Sequence, residues 1–263
     1  MFCPGCGNGI IMNCLYEAFT DAALDIDKTV FVSGIGCSSR IPGYIFADSL
    51  HSTHGRAIAF ATGIKLGNPR LNVIVITGDG DLGSIGGNHF IHACRRNLDL
   101  SVICVNNNIY GMTGGQQSSA TPHGFVTSTT PLGNIEYPFS LSALAASAGA
   151  NFVARWTIGH VKKLTKSIRM AFEKDGFSFV EVISSCPTHT GKMNWMSDPV
   201  EMIRWLKDNS LSLKKLEMPK DPLSASNPLD LIIQGKIVIG TFRDANRKSY
   251  LEQVDGGDKG GQK

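Results

Sequence analysis

Residues 72–108 constrain the fold more than any other stretch of the chain. They open with Asn72-Val73-Ile74-Val75-Ile76-Thr77, an unbroken apolar run rich in β-branched residues, which reads as a buried strand. Gly78-Asp79-Gly80-Asp81 follows, then an amphipathic helix, then a second apolar strand at 100–105 that ends in Asn106-Asn107-Asn108. Two such strands joined through a helix form a crossover unit of a parallel sheet. The Gly-Asp-Gly turn then lies at the carboxyl end of its strand, where open α/β sheets bind ligands.

The remaining pattern extends that unit. Helical periodicity is expected over 8–24, 57–66, 140–148, 161–172 and 198–206, the last with Asp198 as N-cap and Pro199 at its first position. Strands are expected at 29–33, 152–154, 177–184 and 237–242. The fold class is therefore α/β, a mostly parallel sheet with helices on both faces. We expect an α/β domain over 1–210 and a C-terminal extension over 211–263, with a linker at 219–228 and a disordered Gly/Lys-rich tail at 256–263. With 42% apolar residues, a chain of 263 can bury one full core.

Charge and hydropathy narrow the function classes. A net charge of +3 with scattered basic residues gives no nucleic-acid footprint. No apolar run of about 18 residues and no charged-then-apolar leader is visible, so neither a membrane partner nor secretion is expected, and the expected location is cytoplasmic.

Asp79 and Asn107 offer hard oxygen atoms one crossover unit apart, and the glycines beside Asp79 admit a charged group close to the backbone. Such a pair suits Mg²⁺ holding a diphosphate, because magnesium shares its octahedral shell with phosphates. The loop Gly34-Ile35-Gly36-Cys37-Ser38 and His54, just before a helix start, lie at the same sheet edge and are candidate ligand contacts. The seven cysteines divide in two. Cys14, Cys94 and Cys104 fall on helices or a strand and read as core, whereas Cys3, Cys6, Cys37 and Cys186 fall in loops or near the terminus. Four thiolates could hold Zn²⁺ or a 4Fe-4S cluster, and their spacing leaves both open.

The Gly78-Asp79-Gly80 and Asn106-Asn107 pair resembles the diphosphate-binding motif of thiamine-diphosphate (ThDP) enzymes. Tyr110-Gly111-Met112-Thr113-Gly114-Gly115-Gln116, Cys3-Pro4-Gly5-Cys6-Gly7, the Cys37 loop and Cys186-Pro187-Thr188 narrow the resemblance to the β subunits of 2-oxoacid:ferredoxin oxidoreductases. The resemblance implies that Asp79, Asn107 and the Ile109 carbonyl ligate Mg²⁺, and that Cys3, Cys6, Cys37 and Cys186 bind a 4Fe-4S cluster. It implies cofactor contacts at Ile35, Gly36, Cys37, Ser38, His54, Gly78, Gly80, Asp81, Gly111 and Met112, with Met112 and Thr113 near the substrate. The implied reaction is CoA-dependent oxidative decarboxylation of a 2-oxoacid, with electrons passed to ferredoxin. It further implies an obligate α subunit, with room for further small subunits, that supplies a carboxylate to the cofactor. Among oxoacids 2-oxoglutarate is the expectation, ahead of pyruvate and branched-chain acids, with Arg40 and the room beside Gly114 as recognition candidates. The competing readings are a non-redox ThDP decarboxylase or carboligase with a zinc staple, and a non-catalytic subunit that keeps the fold.

Overall fold

In the computed structural model, which describes residues 2–194, 196–216, 232–233 and 236–258, the 72–78 run divides its side chains as a pleated strand must. Ile74 and Ile76 enter one core and Val73 and Val75 the other. All four are essentially buried, so the sheet is covered on both faces.

The strands are β1 (Thr29–Ser33), β2 (Asp48–His51), β3 (Asn72–Gly78), β4 (Ser101–Asn106), β5 (Phe152–Thr157), β6 (Ser178–Ile183), β7 (Ser210–Ser212), β8 (Ile232–Ile233) and β9 (Lys236–Asp244). The helices are α1 (Asn8–Asp21), α2 (Ala57–Gly67), α3 (Gly87–Arg96), α4 (Leu141–Ala148), α5 (Val161–Phe172), α6 (Pro199–Asp208) and α7 (Tyr250–Asp258). Across the sheet the order is β2-β1-β3-β4-β6-β5-β9-β7, with β8 paired to β9. Pairing is parallel except where β9 meets β5 and β8. The expected mostly parallel α/β fold is therefore present, and β9, from the expected C-terminal extension, is hydrogen-bonded into the same sheet.

α1 and α5 cover one face through Ile11, Leu15, Leu164 and Ile168. α2, α3 and α4 cover the other through Ala61, Phe90 and Leu141. Truncating a residue such as Ile76 or Phe90 to Ala would cost about 2–5 kcal/mol, from lost burial and the cavity left behind. After β1 the chain runs over the α1 face to edge strand β2, while after β3 it runs over the other face to β4. The loops beyond β1 and β3 thus diverge, which opens a crevice at the carboxyl edge.

Three local expectations are corrected. α1 ends at Asp21 rather than 24, because Ala23 turns left-handed at φ 48°. β2 was not legible: Asp48-Ser49-Leu50-His51 is an exposed edge strand with no apolar alternation, held by its ladder to β1. α7 reaches Asp258, into the 256–263 stretch expected to be disordered. The rest of that tail and the 219–228 linker lie outside the described residues.

Candidate functional site

β3 ends at Gly78 and delivers Asp79 to the floor of the crevice, 1% exposed. The chain then tightens through a π-helical turn, Gly80–Ile85, into α3. A Cβ on Gly80 would overlap the Tyr110 ring, whose hydroxyl donates to Gly80 O at 3.1 Å. β4 delivers Asn106, whose Oδ1 accepts from Asn108 N at 3.0 Å. Asn108 is left-handed at φ 62°, and the reversal turns the Asn107 side chain and the Ile109 carbonyl toward Asp79. The Asn107 amide atom on that side lies 3.0 Å from Asp79 Oδ1 and 2.7 Å from Ile109 O. Presented as nitrogen, it donates to both oxygens. Presented as oxygen, it joins Asp79 Oδ1 and Ile109 O as a third hard oxygen, a set that a cation could hold together.

Electrostatics points the same way. Burial pushes the Asp79 carboxyl up to about 7, against the pull of the Ser118 hydroxyl, which donates to Oδ2. A divalent cation among these oxygens would remove that penalty. Ser118 is itself held by Thr121, whose Oγ1 accepts from Ser118 N at 2.9 Å and donates to Asn108 O at 2.7 Å. Both residues clamp the two halves of the motif together and were missed from sequence. The Gly-Gly-Gln-Gln-Ser run beside them was the available signal.

Asp81, expected as a cofactor contact, also has a role within the fold. It lines the crevice, but its oxygens accept from Ile35 N at 3.1 Å, Gly55 N at 2.7 Å and Thr77 Oγ1 at 2.7 Å. His54 Nδ1 also approaches it, at 2.5 Å. The carboxylate therefore ties the β1 loop and the start of α2 to β3. The His54 ring stands edge-on to Tyr110, with centroids 5.8 Å apart, and is one-third exposed toward the crevice.

A crevice opens at this carboxyl edge of the sheet. Its walls are residues 35–38, His54, 78–81, Asn107, 109–113 and the buried Asn8 at the start of α1. Every cofactor-contact candidate from the sequence lines it, Met112 and Thr113 included. Gly114 and Arg40 do not. Gly114 forms the tip of the turn closed by Tyr110 and Gln116. Arg40 lines a separate hollow with Tyr44 and His51.

Cys3, Cys6, Cys37 and Cys186 come from three separate parts of the chain and lie near enough for each thiol to feel the others' charge, with Cys37 on the crevice wall. Cys6 N donates to Cys3 O at 3.0 Å, Gly7 N to Ser185 O at 3.3 Å and Ser185 Oγ to Gly5 O at 3.1 Å, which docks the N-terminal loop onto the end of β6. Burial pushes the Cys6 thiol up to about 11; Asn8 N–H opposes this, and the neighbouring Cys186, Cys37 and Cys3 add to it. A cationic metal group would reverse that penalty and hold the thiolates. A Cβ at Gly111 would stand 3.6 Å from both Cys37 Sγ and Cys186 Sγ, so the missing side chain leaves open the space between them and the Asn107 turn. Among the described residues no three His, Cys, Asp or Glu side chains converge on a single ion. Cys14, Cys94 and Cys104 are core residues, as expected. No helix among the described residues is long and apolar enough to cross a membrane.

A family model described as thiamine pyrophosphate enzyme, C-terminal TPP binding domain, matches residues 34–182. The 2-oxoglutarate synthase subunit KorB of Methanocaldococcus jannaschii is 51% identical over 97% of this chain and 91% of its own. The 2-oxoacid:ferredoxin oxidoreductase subunit beta of a Sulfolobus species is 40% identical over 96% of this chain and 85% of its own. A solved structure of 2-oxoglutarate:ferredoxin oxidoreductase from Magnetococcus marinus, with 2-oxoglutarate, coenzyme A and succinyl-CoA bound, aligns with a TM-score of 0.84 at 32% identity. That alignment covers 100% of this chain and 88% of the other.

Proposed function

The chain belongs to the β subunits of the 2-oxoacid:ferredoxin oxidoreductases, ThDP-binding oxidoreductase components that act with partner subunits, and on that premise we propose its cofactors and substrate. It holds ThDP through Mg²⁺ on Asp79, Asn107 and the Ile109 carbonyl, and a 4Fe-4S cluster on Cys3, Cys6, Cys37 and Cys186. With an α subunit it converts 2-oxoglutarate and CoA to succinyl-CoA and CO₂ and passes the electrons to ferredoxin. The observation that carries this reading is the approach of the Asn107 amide to both Asp79 Oδ1 and Ile109 O in the crevice that Cys37 also lines.

When bound, ThDP supplies an electron sink for cleavage next to the 2-oxo group, and the cluster accepts the electrons one at a time. The chain's own residues position and exclude. Asp79, Asn107 and Ile109 orient the diphosphate through the metal, while Asp81 holds His54 and the Ile35 loop against it. Gly111 keeps the space between the thiols and the metal turn clear. The carboxylates lining the crevice, among the described residues, are Asp79 and Asp81, and both are engaged. The acid that ThDP needs at its aminopyrimidine is therefore assigned to the partner subunit. For the substrate, relatives at 51% identity carry 2-oxoglutarate in their names, which favours it over pyruvate or branched-chain acids.

The test is iron, acid-labile sulfide and ThDP content of this chain purified anaerobically with its partner, with a low-temperature EPR spectrum after dithionite. About four irons and four sulfides at the four cysteines, the content of one Cys₄-ligated cube, are expected. Zinc, or no metal at the cysteines, would overturn the cluster assignment.

A further inference from the structure

Glu181 stands in the middle of β6, 0% exposed, and Arg155 faces it from β5, also 0% exposed. Burying two charges is expensive, and apolar residues of similar size hold strands together as well or better. Sheet stability alone therefore does not explain the pair. Its bonding does. Glu181 accepts from Arg155 Nε at 2.8 Å, Ser142 Oγ at 2.6 Å, Ser142 N at 3.2 Å and Asn106 Nδ2 at 2.8 Å. An ionised carboxylate can accept from all four donors, whereas an amide, half of which donates, cannot.

The Asn106 bond leads to the metal turn. With Nδ2 held by Glu181, Asn106 must direct Oδ1 at Asn108 N, which it meets at 3.0 Å. That bond closes the turn in which left-handed Asn108 sets the Asn107 side chain and the Ile109 carbonyl on the side facing Asp79. Resting on the metal-diphosphate reading above, we propose that Glu181 and Arg155 are positioning residues for Mg²⁺. The buried pair fixes the Asn106 amide, and the Asn106 amide fixes the turn from Asn107 to Ile109. The far end of the relay is the C-terminal strand. Arg155 donates to Val238 O on β9 at 3.2 Å and to Ser140 Oγ at 2.7 Å, with its guanidinium 4.7 Å from the Phe242 ring centre.

The assembled complex, stripped of Mg²⁺ and ThDP, provides the test. ThDP binding is measured by equilibrium dialysis at graded Mg²⁺, beside the melting temperature of the metal-free complex, for the wild type, Asn106→Ala, Glu181→Gln and Asp79→Ala. Asn106→Ala and Glu181→Gln are each expected to raise the half-saturating Mg²⁺ about 10–100-fold, the usual effect of losing an outer-shell partner. A purely structural pair would lower the melting temperature and leave the Mg²⁺ midpoint in place, and that result overturns the relay. If Glu181→Gln fails to fold, Asn106→Ala carries the decision, because it leaves the ion pair intact. Asp79→Ala separates the two failures. ThDP binding that keeps its Mg²⁺ dependence without Asp79 removes the metal site itself, whereas loss in Asp79→Ala with no change in Asn106→Ala removes the relay alone.

Discussion

Asp79 and Asn107 meet at 3.0 Å from the ends of neighbouring parallel strands, each delivered by the last turn of its strand. Ser118 bonds Asp79 and Thr121 bonds the Asn108 carbonyl, so the turns proposed to hold the metal are braced by the fold itself. Catalytic geometry of this kind is largely preformed in the fold.

Removing either ligand should separate the two cofactors. Asp79→Ala and Asn107→Ala are each expected to abolish ThDP-dependent activity and ThDP retention, while iron content and the reduced EPR signal persist. ThDP content after desalting checks this. Full activity in Asp79→Ala would remove it from the metal site.

Cys186→Ala tests the cluster assignment. Iron and sulfide should fall while ThDP and Mg²⁺ binding remain, because the metal turn keeps its own brace through Thr190 Oγ1, which donates to Asn107 O at 2.9 Å. Unchanged iron content would exclude Cys186 as a ligand.

Gly34→Ala should act through the Asp81 clamp. A Cβ there would overlap the Asp81 carboxylate, which bonds Ile35, His54, Gly55 and Thr77. Overpacking of this kind costs about 1–3 kcal/mol. A lower melting temperature is expected together with weaker ThDP binding, since His54 and the Ile35 loop lose their anchor. Calorimetry and dialysis on the same sample check both.

Glu181 carries a pH prediction. Burial pushes its carboxyl up, but the Arg155 charge and the bonds from Ser142, Arg155 and Asn106 outweigh burial and hold it below its usual value of 4.5. A group with a depressed folded value adds stability that is fully present above 4.5 and is lost as pH falls through the folded value. The wild-type complex should therefore lose melting temperature below that range. Glu181→Gln should start lower at neutral pH, where it lacks the pair, and show a shallower acid decline. Parallel acid branches for the two proteins would contradict this.

Much of this molecule could be read before the structure. The 72–78 strand, its Gly-Asp-Gly turn, the second strand and the Asn106-Asn107 end are local patterns, because apolar periodicity and turn chemistry act over a few residues. The same locality exposed the helices at 57–66 and 161–172 and the Asp198 cap, whose carboxylate accepts from Val200 N at 2.7 Å and Glu201 N at 2.9 Å. It also sorted the core cysteines from those in loops. What the chain alone left open were relations between distant segments. β2 has no apolar alternation to announce it and exists because β1 offers an open ladder. Ser118 becomes a brace, and Asp81 a clamp on the β1 loop and the start of α2, once the loops that meet them are in place. Glu181 and Arg155 sit on separate strands and meet through register, with β9 arriving antiparallel to complete their bonds. Strand register and loop closure are set by burial summed over the whole sheet, so only the tertiary structure could decide them.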